Sequence, residues 1–355
     1  MSDAKHAMEA GELRRIARTI STVENRADGY EDVLAQAYRS RRFPPVIGIT
    51  GPPGAGKSTL VDALTAHWAT AGERIAILAI DPSSPYSGGA VLGDRIRRTR
   101  SAGLANTFFR SLASRGHVGG LSATATDIVA VLGLFEFGRT IIETVGAGQA
   151  DVEIHDTADC TVVMTVPGLG DGVQAAKAGL MEIADVFAVN KADMAGAADA
   201  ARMIERALAV AYVGEPGINA RREVKLPAAD PVSPGLAALR RRHGTAGLDD
   251  TTWVPPVLKL TATENEGVPG LAQMIDAFIA WSDRTGRREA RRRERAYAQV
   301  LRSLSSLLLA PYTRQAGSEQ LPSIVAPWVE RIVEGSTSPI EAARAMLSGR
   351  VTHTD

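Results

Sequence analysis

The chain is poor in several features that would commit it to a familiar role. It has one cysteine, Cys160, in 355 residues. That excludes an intrachain disulfide framework and a zinc site built from cysteines alone, and it fits a reducing compartment. It has no excess of charge: 40 Lys+Arg stand against 40 Asp+Glu, a formal net charge of zero, whereas nucleic-acid-binding domains are normally strongly basic. No apolar run approaches the roughly 20 residues of a membrane-spanning helix; stretches such as Ile128–Leu134 are short and lie in a helical pattern. The first residues, MSDAKHAMEAGELRR, lack the apolar centre of a secretory signal. The six histidines (His6, His67, His117, His155, His243, His353) never fall at ligand spacing, so no permanent transition-metal site is expected. No G-x-S-x-G or Cys–His nucleophile context occurs either. The expectation is a cytoplasmic protein that engages neither membrane nor nucleic acid.

What is present is ordinary in bulk and specific in detail. Hydrophobic residues make up 45% and charged residues 23%, values of a folded chain, and the length suggests two or three structural units. Residues 1–42 are polar and helix-prone, with Leu13, Ile16, Ala17 and Ile20 at helical spacing and a second helix over Tyr30–Tyr38; they read as an N-terminal helical extension. Over residues 43–284, short apolar runs alternate with amphipathic stretches. The strand candidates are Val46–Thr50, Ile75–Ile80, Asn106–Leu112, Thr140–Thr144, Cys160–Val166, Val186–Asn190 and Val257–Thr261. Helices are expected between most of them, among them Lys57–Ala71 stopped by Gly72 and Ala123–Phe137 stopped by Gly138. Such alternation predicts an α/β fold with a mostly parallel sheet flanked by helices. Residues 214–253, rich in Pro, Gly and Arg, read as an insertion, with a short helix near Pro234–Arg242. Residues 285–355 carry no strand pattern. There a charged helical half, Arg287–Arg295, reads as a solvated face with Glu289 and Arg293 as i,i+4 partners. The apolar half that follows, with Val300, Leu301, Leu304, Leu307 and Leu308, requires burial on its own domain or on a second copy of the chain.

The strongest chemical signal is the run Gly51, Pro52, Pro53, Gly54, Ala55, Gly56, Lys57, Ser58, followed by Thr59. It matches the phosphate-binding loop G-x-x-x-x-G-K-[ST], whose glycines let backbone amides close around phosphates. Lys57 would reach the β/γ oxygens and the Ser58 hydroxyl would bind Mg²⁺, with the positive end of the following helix dipole behind them. The second signal is Asn190-Lys191-Ala192-Asp193 after the strand VFAVN. N-K-x-D at a strand end reads guanine: the Asp193 carboxylate would accept from N1 and the 2-amino group, Asn190 would meet the N7/O6 edge, and the Lys191 stem would lie over the base. Thr261-Ala262-Thr263 follows the next strand, where GTPases bring a backbone segment to guanine O6.

Acidic residues fall at strand ends between these motifs. Asp81 closes IAILAI, Asp94 lies in LGDR, and Glu143 opens Glu143-Thr-Val-Gly146 in the slot of the usual D-x-x-G, whose glycine amide senses the γ-phosphate. With Ser58 they form the expected oxygen ligands for Mg²⁺, and with Lys57 the expected catalytic set. No side chain is assigned as the base, and Gln149 is not at the water-orienting position of Ras-like GTPases.

These residues resemble the MeaB/ArgK family of P-loop GTPases, accessory G-proteins of adenosylcobalamin-dependent acyl-CoA mutases. The resemblance rests on GPPGAGKSTL, AIDPSSPYSGGAVLGDR, IIETVGAGQ, GLGDGVQAAKAG and FAVNKAD, and spans nearly the whole chain. It implies a P-loop NTPase G domain, GTP/GDP and Mg²⁺ as ligands, and a homodimer joined through C-terminal helical arms. It also implies slow GTP hydrolysis accelerated by a partner mutase, and a cycle that gates adenosylcobalamin loading and removal of damaged cofactor. Pro167–Gly179 would couple nucleotide state to the mutase, with Lys177 its polar actor. Two departures from the family pattern, Gly172 after Asp171 and the length of 214–253, suggest a subfamily serving a sister mutase, one acting on a branched or hydroxylated acyl-CoA. Rival readings are a P-loop kinase of a transport system or other substrate, and a nickel-type metallochaperone GTPase, which would need the Cys/His clusters this chain lacks.

Overall fold

Seven strands pair side by side in one parallel sheet in the computed structural model, which describes residues 7–82, 100–101, 103–114, 120–144, 154–168, 180–213, 252–309, 312 and 321–347. In chain order the strands are β1 (Val46–Thr50), β2 (Ile75–Pro82), β3 (Thr107–Ser114), β4 (Arg139–Thr144), β5 (Cys160–Thr165), β6 (Val186–Val189) and β7 (Val257–Lys259). Across the sheet the order is β3-β2-β4-β1-β5-β6-β7. The chain therefore runs outward from β1 on one side, returns to it through β4, and continues outward on the other through β5. Such a reversal opens a crevice at the carboxyl ends of the central strands, where α/β sheets bind ligands.

The strands are apolar on both sides because both sides are covered. In β2, Ile75 and Ile77 join one core while Ala76, Leu78 and Ile80 join another, the period-two alternation of a pleated strand. The first core lies under α3 (Lys57–Thr70) and α7 (Val268–Arg284) and contains Leu60, Leu64, Trp68, Ile275, Phe278 and Trp281. The second lies under α4 (Gly120–Gly133), on which α1 (Ala10–Glu24) and α2 (Tyr30–Ser40) pack through Ile16, Ile20 and Ala37. Arg74 pairs with Glu12 at 2.9 Å and Arg110 with Glu24 at 2.6 Å, fastening α1 to the sheet region. A third cluster joins β5 and β6 to α6 (Ala197–Val213) through Val163, Phe187, Ile204 and Leu208; the short α5 (Leu180–Ile183) precedes β6.

Two expectations shift. The helix expected to run to Phe137 ends at Gly133, where a Cβ would lie 1.9 Å from the Arg42 carbonyl oxygen; the chain then turns through Glu136 at φ +58°. The charged helix is not uniformly solvated. In α8 (Arg287–Leu309), Arg293 and Glu289 form the exposed pair, but Arg288 is buried and Arg291 half-buried. Arg288 Nε stands 3.1 Å from Asp159 Oδ2, and Arg291 spans both oxygens of Asp185 at 3.1 Å. Those carboxylates also accept the backbone N–H groups of Val46 and Thr161, so the first two turns of α8 are fixed to the amino ends of β1, β5 and β6. The proposed helix near Pro234–Arg242 lies outside the described residues.

By contacts the chain divides into Met1–Arg293 and Glu294–Asp355. The second unit holds the rest of α8, α9 (Ala326–Val333) and α10 (Pro339–Leu347). Ser338 and Glu341 cap the start of α10 reciprocally: Glu341 Oε2 accepts from Ser338 N and Oγ, and Ser338 Oγ accepts from Glu341 N. Val300, Leu301, Leu304, Leu307 and Leu308 of α8 are exposed in the single chain.

Candidate functional site

The loop between β1 and α3 is shaped by three glycines in the left-handed half of backbone space. Gly51 (φ +144°), Gly54 (φ +76°) and Gly56 (φ +86°) are all conformations that side chains resist. At Gly51 space is lacking too, since a Cβ would lie 2.4 Å from the Met164 carbonyl oxygen on β5. Gly56 is the N-cap of α3 and supplies no side-chain cap, which leaves the helix's amino end to an anion. Lys57 is buried, and its Nζ donates to the carbonyls of Gly51 (2.8 Å) and Pro52 (3.1 Å). An ammonium has three protons, so this folds the lysine across its own loop and fixes where its charge stands.

Ser58 and Glu143 meet directly. The Ser58 hydroxyl donates to Oε1 of the buried Glu143. Pairing of β4 with β1 sets Glu143 beside Ile49, one residue before Thr50, at the carboxyl end of the central strand. Asp81 lies at the carboxyl end of β2 opposite Ala113; its side chain lies outside the described residues, as do Asp94, Gly146, Lys177 and Gly172. Among the described residues, no group of three or more His, Cys, Asp or Glu could hold a metal ion.

The two nucleotide motifs are brought together by Asn190. It leaves β6 with its backbone N–H on Thr165 O at 2.8 Å, and its buried side chain is engaged at both ends. Nδ2 donates to Ala55 O in the phosphate loop at 2.8 Å, and Oδ1 accepts the N–H of Ala262 at 3.0 Å. Lys191 follows at φ +56°, and Ala192 N donates to Leu260 O at 3.1 Å. The exposed Asp193 accepts from Thr261 Oγ1 at 3.5 Å. Thr261–Thr263 forms a tight turn closed by paired backbone hydrogen bonds between Thr261 and Glu266. These elements end or follow β1, β4, β6 or β7 at their carboxyl ends, so Lys57, Ser58, Glu143, Asn190, Asp193 and Thr261–Thr263 lie along one rim.

Sequence reasoning took Asn190 as a base reader and missed that it ties Ala55 to Ala262. It also missed Asp62 and Arg100, whose guanidinium donates to the Thr263 carbonyl. The one signal for Asp62 is that it is the single acidic residue of α3, flanked by the apolar Val61 and Ala63.

Comparison with known proteins shows which family the chain resembles along its length. A family pattern described as Methylmalonyl Co-A mutase-associated GTPase MeaB matches residues 16–316. A protein of Pyrococcus abyssi whose name calls it a GTPase is 35% identical over 340 residues, which is 96% of this chain and 94% of that one. GTPase ArgK of Escherichia coli is 34% identical over 199 residues, 54% of this chain and 60% of that protein. A fused isobutyryl-CoA mutase of Nocardia farcinica is 39% identical over 211 residues, 58% of this chain but 19% of that much longer protein. Among solved structures, a LAO/AO transport system kinase aligns over 95% of this chain and 93% of its own with a TM-score of 0.59 at 22% identity, a likeness of fold.

Proposed function

Because the chain belongs to the family of methylmalonyl-CoA mutase-associated GTPases, we propose that it is a Mg²⁺-dependent GTP hydrolase acting as chaperone to an adenosylcobalamin-dependent acyl-CoA mutase. In this reading the GTPase cycle gates cofactor loading and protects or reactivates the mutase. The observation that carries the nucleotide part is the Asn190 bridge, which ties the phosphate loop to the turn proposed to meet guanine.

The chemistry is positioning and electrostatic stabilisation of phosphoryl transfer to water. Backbone amides of residues 51–58 surround the phosphates, and Lys57, oriented by Gly51 and Pro52, sets its charge against the β/γ oxygens. Ser58 and Glu143 suit Mg²⁺: a hydroxyl and a carboxylate already side by side are hard oxygen donors, and this ion needs few protein ligands when phosphates and water complete its shell. When bound, the ion would neutralise charge developing on the transferred phosphoryl group. Asp81 and Asp94 are proposed to complete the metal set, and Gly146 to sense the γ-phosphate. Asp193, steadied by Thr261, accepts from guanine N1 and the 2-amino group, a donor pair adenine lacks.

The mutase partner is supported by the family description and by the relative whose name joins this kind of sequence to an acyl-CoA mutase. The exposed leucine face of α8 is proposed to pair with a second copy, giving a homodimer. Among the described residues no helix is long and apolar enough to cross a membrane, and a cytoplasmic location is proposed. GTP turnover measured with and without the cognate mutase tests the reading: acceleration is expected, and an unchanged rate overturns the chaperone role.

A further inference from the structure

Asp62 is a buried carboxylate in the middle of α3, and its oxygens serve a segment far away in sequence. Oδ1 accepts the N–H of Ser101 at 2.9 Å and its Oγ–H at 2.5 Å, and Oδ2 accepts the N–H of Arg100 at 2.9 Å. A buried charge is tolerable only with such donors. From the other side, Leu104 N donates to Ser101 O at 3.2 Å and Leu104 packs on the core under α3. The backbone at residues 100–101 is thus held from both directions.

Arg100 uses this fixed footing to reach the base-proximal turn. Its guanidinium donates to the carbonyl of Thr263, a charge-assisted bond stronger than a neutral one. The same turn gives its Ala262 N–H to Asn190 and its Thr261 hydroxyl to Asp193. Asn190 therefore holds it on one side and Arg100 on the other, and the Arg100 brace returns through Asp62 to the helix that begins at Lys57.

We infer that Arg100, braced by Asp62, is a positioning residue that makes the chain discriminate 6-oxo from 6-amino purine nucleotides. This rests on the guanine reading of Thr261–Thr263. With the N–H of Thr261 given to Glu266 and that of Ala262 to Asn190, the N–H of Thr263 is the donor this fixed turn offers where a 6-oxo purine has an acceptor, and it meets a 6-amino group donor to donor. A loosened turn retreats from that mismatch and accepts both bases, so rigidity itself supplies selectivity. Arg100 acts through the turn and leaves the phosphate loop's own contacts intact.

The test is equilibrium binding of GDP, ADP and inorganic tripolyphosphate to the full chain and to Arg100→Ala, Arg100→Lys and Asp62→Asn. Arg100→Ala is expected to weaken GDP about 10-fold, equivalent to about 1.4 kcal/mol, and to narrow the GDP-to-ADP preference by a similar factor. Tripolyphosphate affinity is expected to stay within about twofold, a difference of roughly 0.4 kcal/mol. Arg100→Lys keeps a cationic donor and is expected to recover part of the preference. Asp62→Asn, which puts an amide donor against donors, is expected to lose part of it; should that variant not fold, the Arg100 pair decides. An unchanged GDP-to-ADP ratio in Arg100→Ala, or an equal loss for tripolyphosphate, overturns the inference. A wild-type chain that binds ADP as tightly as GDP is a separate result, read without any variant, and sinks the guanine reading itself.

Discussion

Gly56 and Asn190 compete for the same space: a methyl group on Gly56 would stand 2.4 Å from Asn190 Nδ2. The last glycine of the phosphate loop is thus required twice, once by its φ of +86° and once by the amide that bridges to Ala55.

Gly56→Ala therefore carries two penalties. The left-handed conformation costs an alanine about 1–2 kcal/mol, and the displaced Asn190 gives up its bonds to Ala55 and Ala262. Calorimetric titration is expected to show GDP affinity reduced on the order of 100-fold, about 2.7 kcal/mol. Affinity within a factor of about two of wild type would mean the two residues do not contend.

Asp193→Asn exchanges an acceptor for a donor where guanine presents N1–H and its 2-amino group. GTP binding is expected to fall on the order of 100-fold, while xanthosine triphosphate, with a 2-oxo group, gains. Competition binding with both nucleotides measures this, and parallel losses for the two would count against Asp193 as the base reader.

The root of α8 decides where the arm can be cut. Removing everything from Arg287 onward strips Asp159 and Asp185 of Arg288 and Arg291, and unpairing a buried charge costs about 3–5 kcal/mol. A chain ending at Arg293 keeps those partners. It is expected to fold and sediment as a monomer, whereas a chain ending at Gly286 is expected to melt far lower. A dimer that survives the cut after Arg293 would refute the arm as dimer interface.

His155 gives the native state a pH dependence. Its pKa is held below the ordinary 6.5 first by burial and then by the charge of Arg291. The folded chain thus binds this proton less readily than the unfolded chain. The stabilisation is complete above about pH 6.5 and declines as pH falls toward the lowered native value, with a slope of at most about 1.4 kcal/mol per pH unit. Denaturation midpoints recorded across that window are expected to slope in the wild type and to flatten in His155→Gln.

The strands were legible because parallel sheets bury both faces, and continuous apolar runs such as IAILAI leave little else to be. The start of α3 at Lys57 was legible because glycines and a helix-forming stretch bracket it. What composition concealed were polar residues whose partners are distant in the chain. Arg288 and Arg291 sit in a charge run that looks solvated, and only the fold reveals Asp159 and Asp185 beneath them. Asn190 was found by its motif, but the motif names a base, and its backbone partners lie 135 and 72 residues away. Asp62 belongs to no motif, and its role is visible only once the fold brings Arg100 and Ser101 to its carboxylate.

The ion pairs at the amino ends of β5 and β6 give each strand a gradient of consequence. At one end of β6 stands Asp185, gripped by Arg291; at the other the strand delivers Asn190. Five residue steps separate these ends, roughly 16 Å of extended chain. A mutational scan scoring cellular abundance and nucleotide affinity separately should sort substitutions in β6 by position along the strand more than by residue type, with abundance falling first near Asp185 and affinity near Asn190.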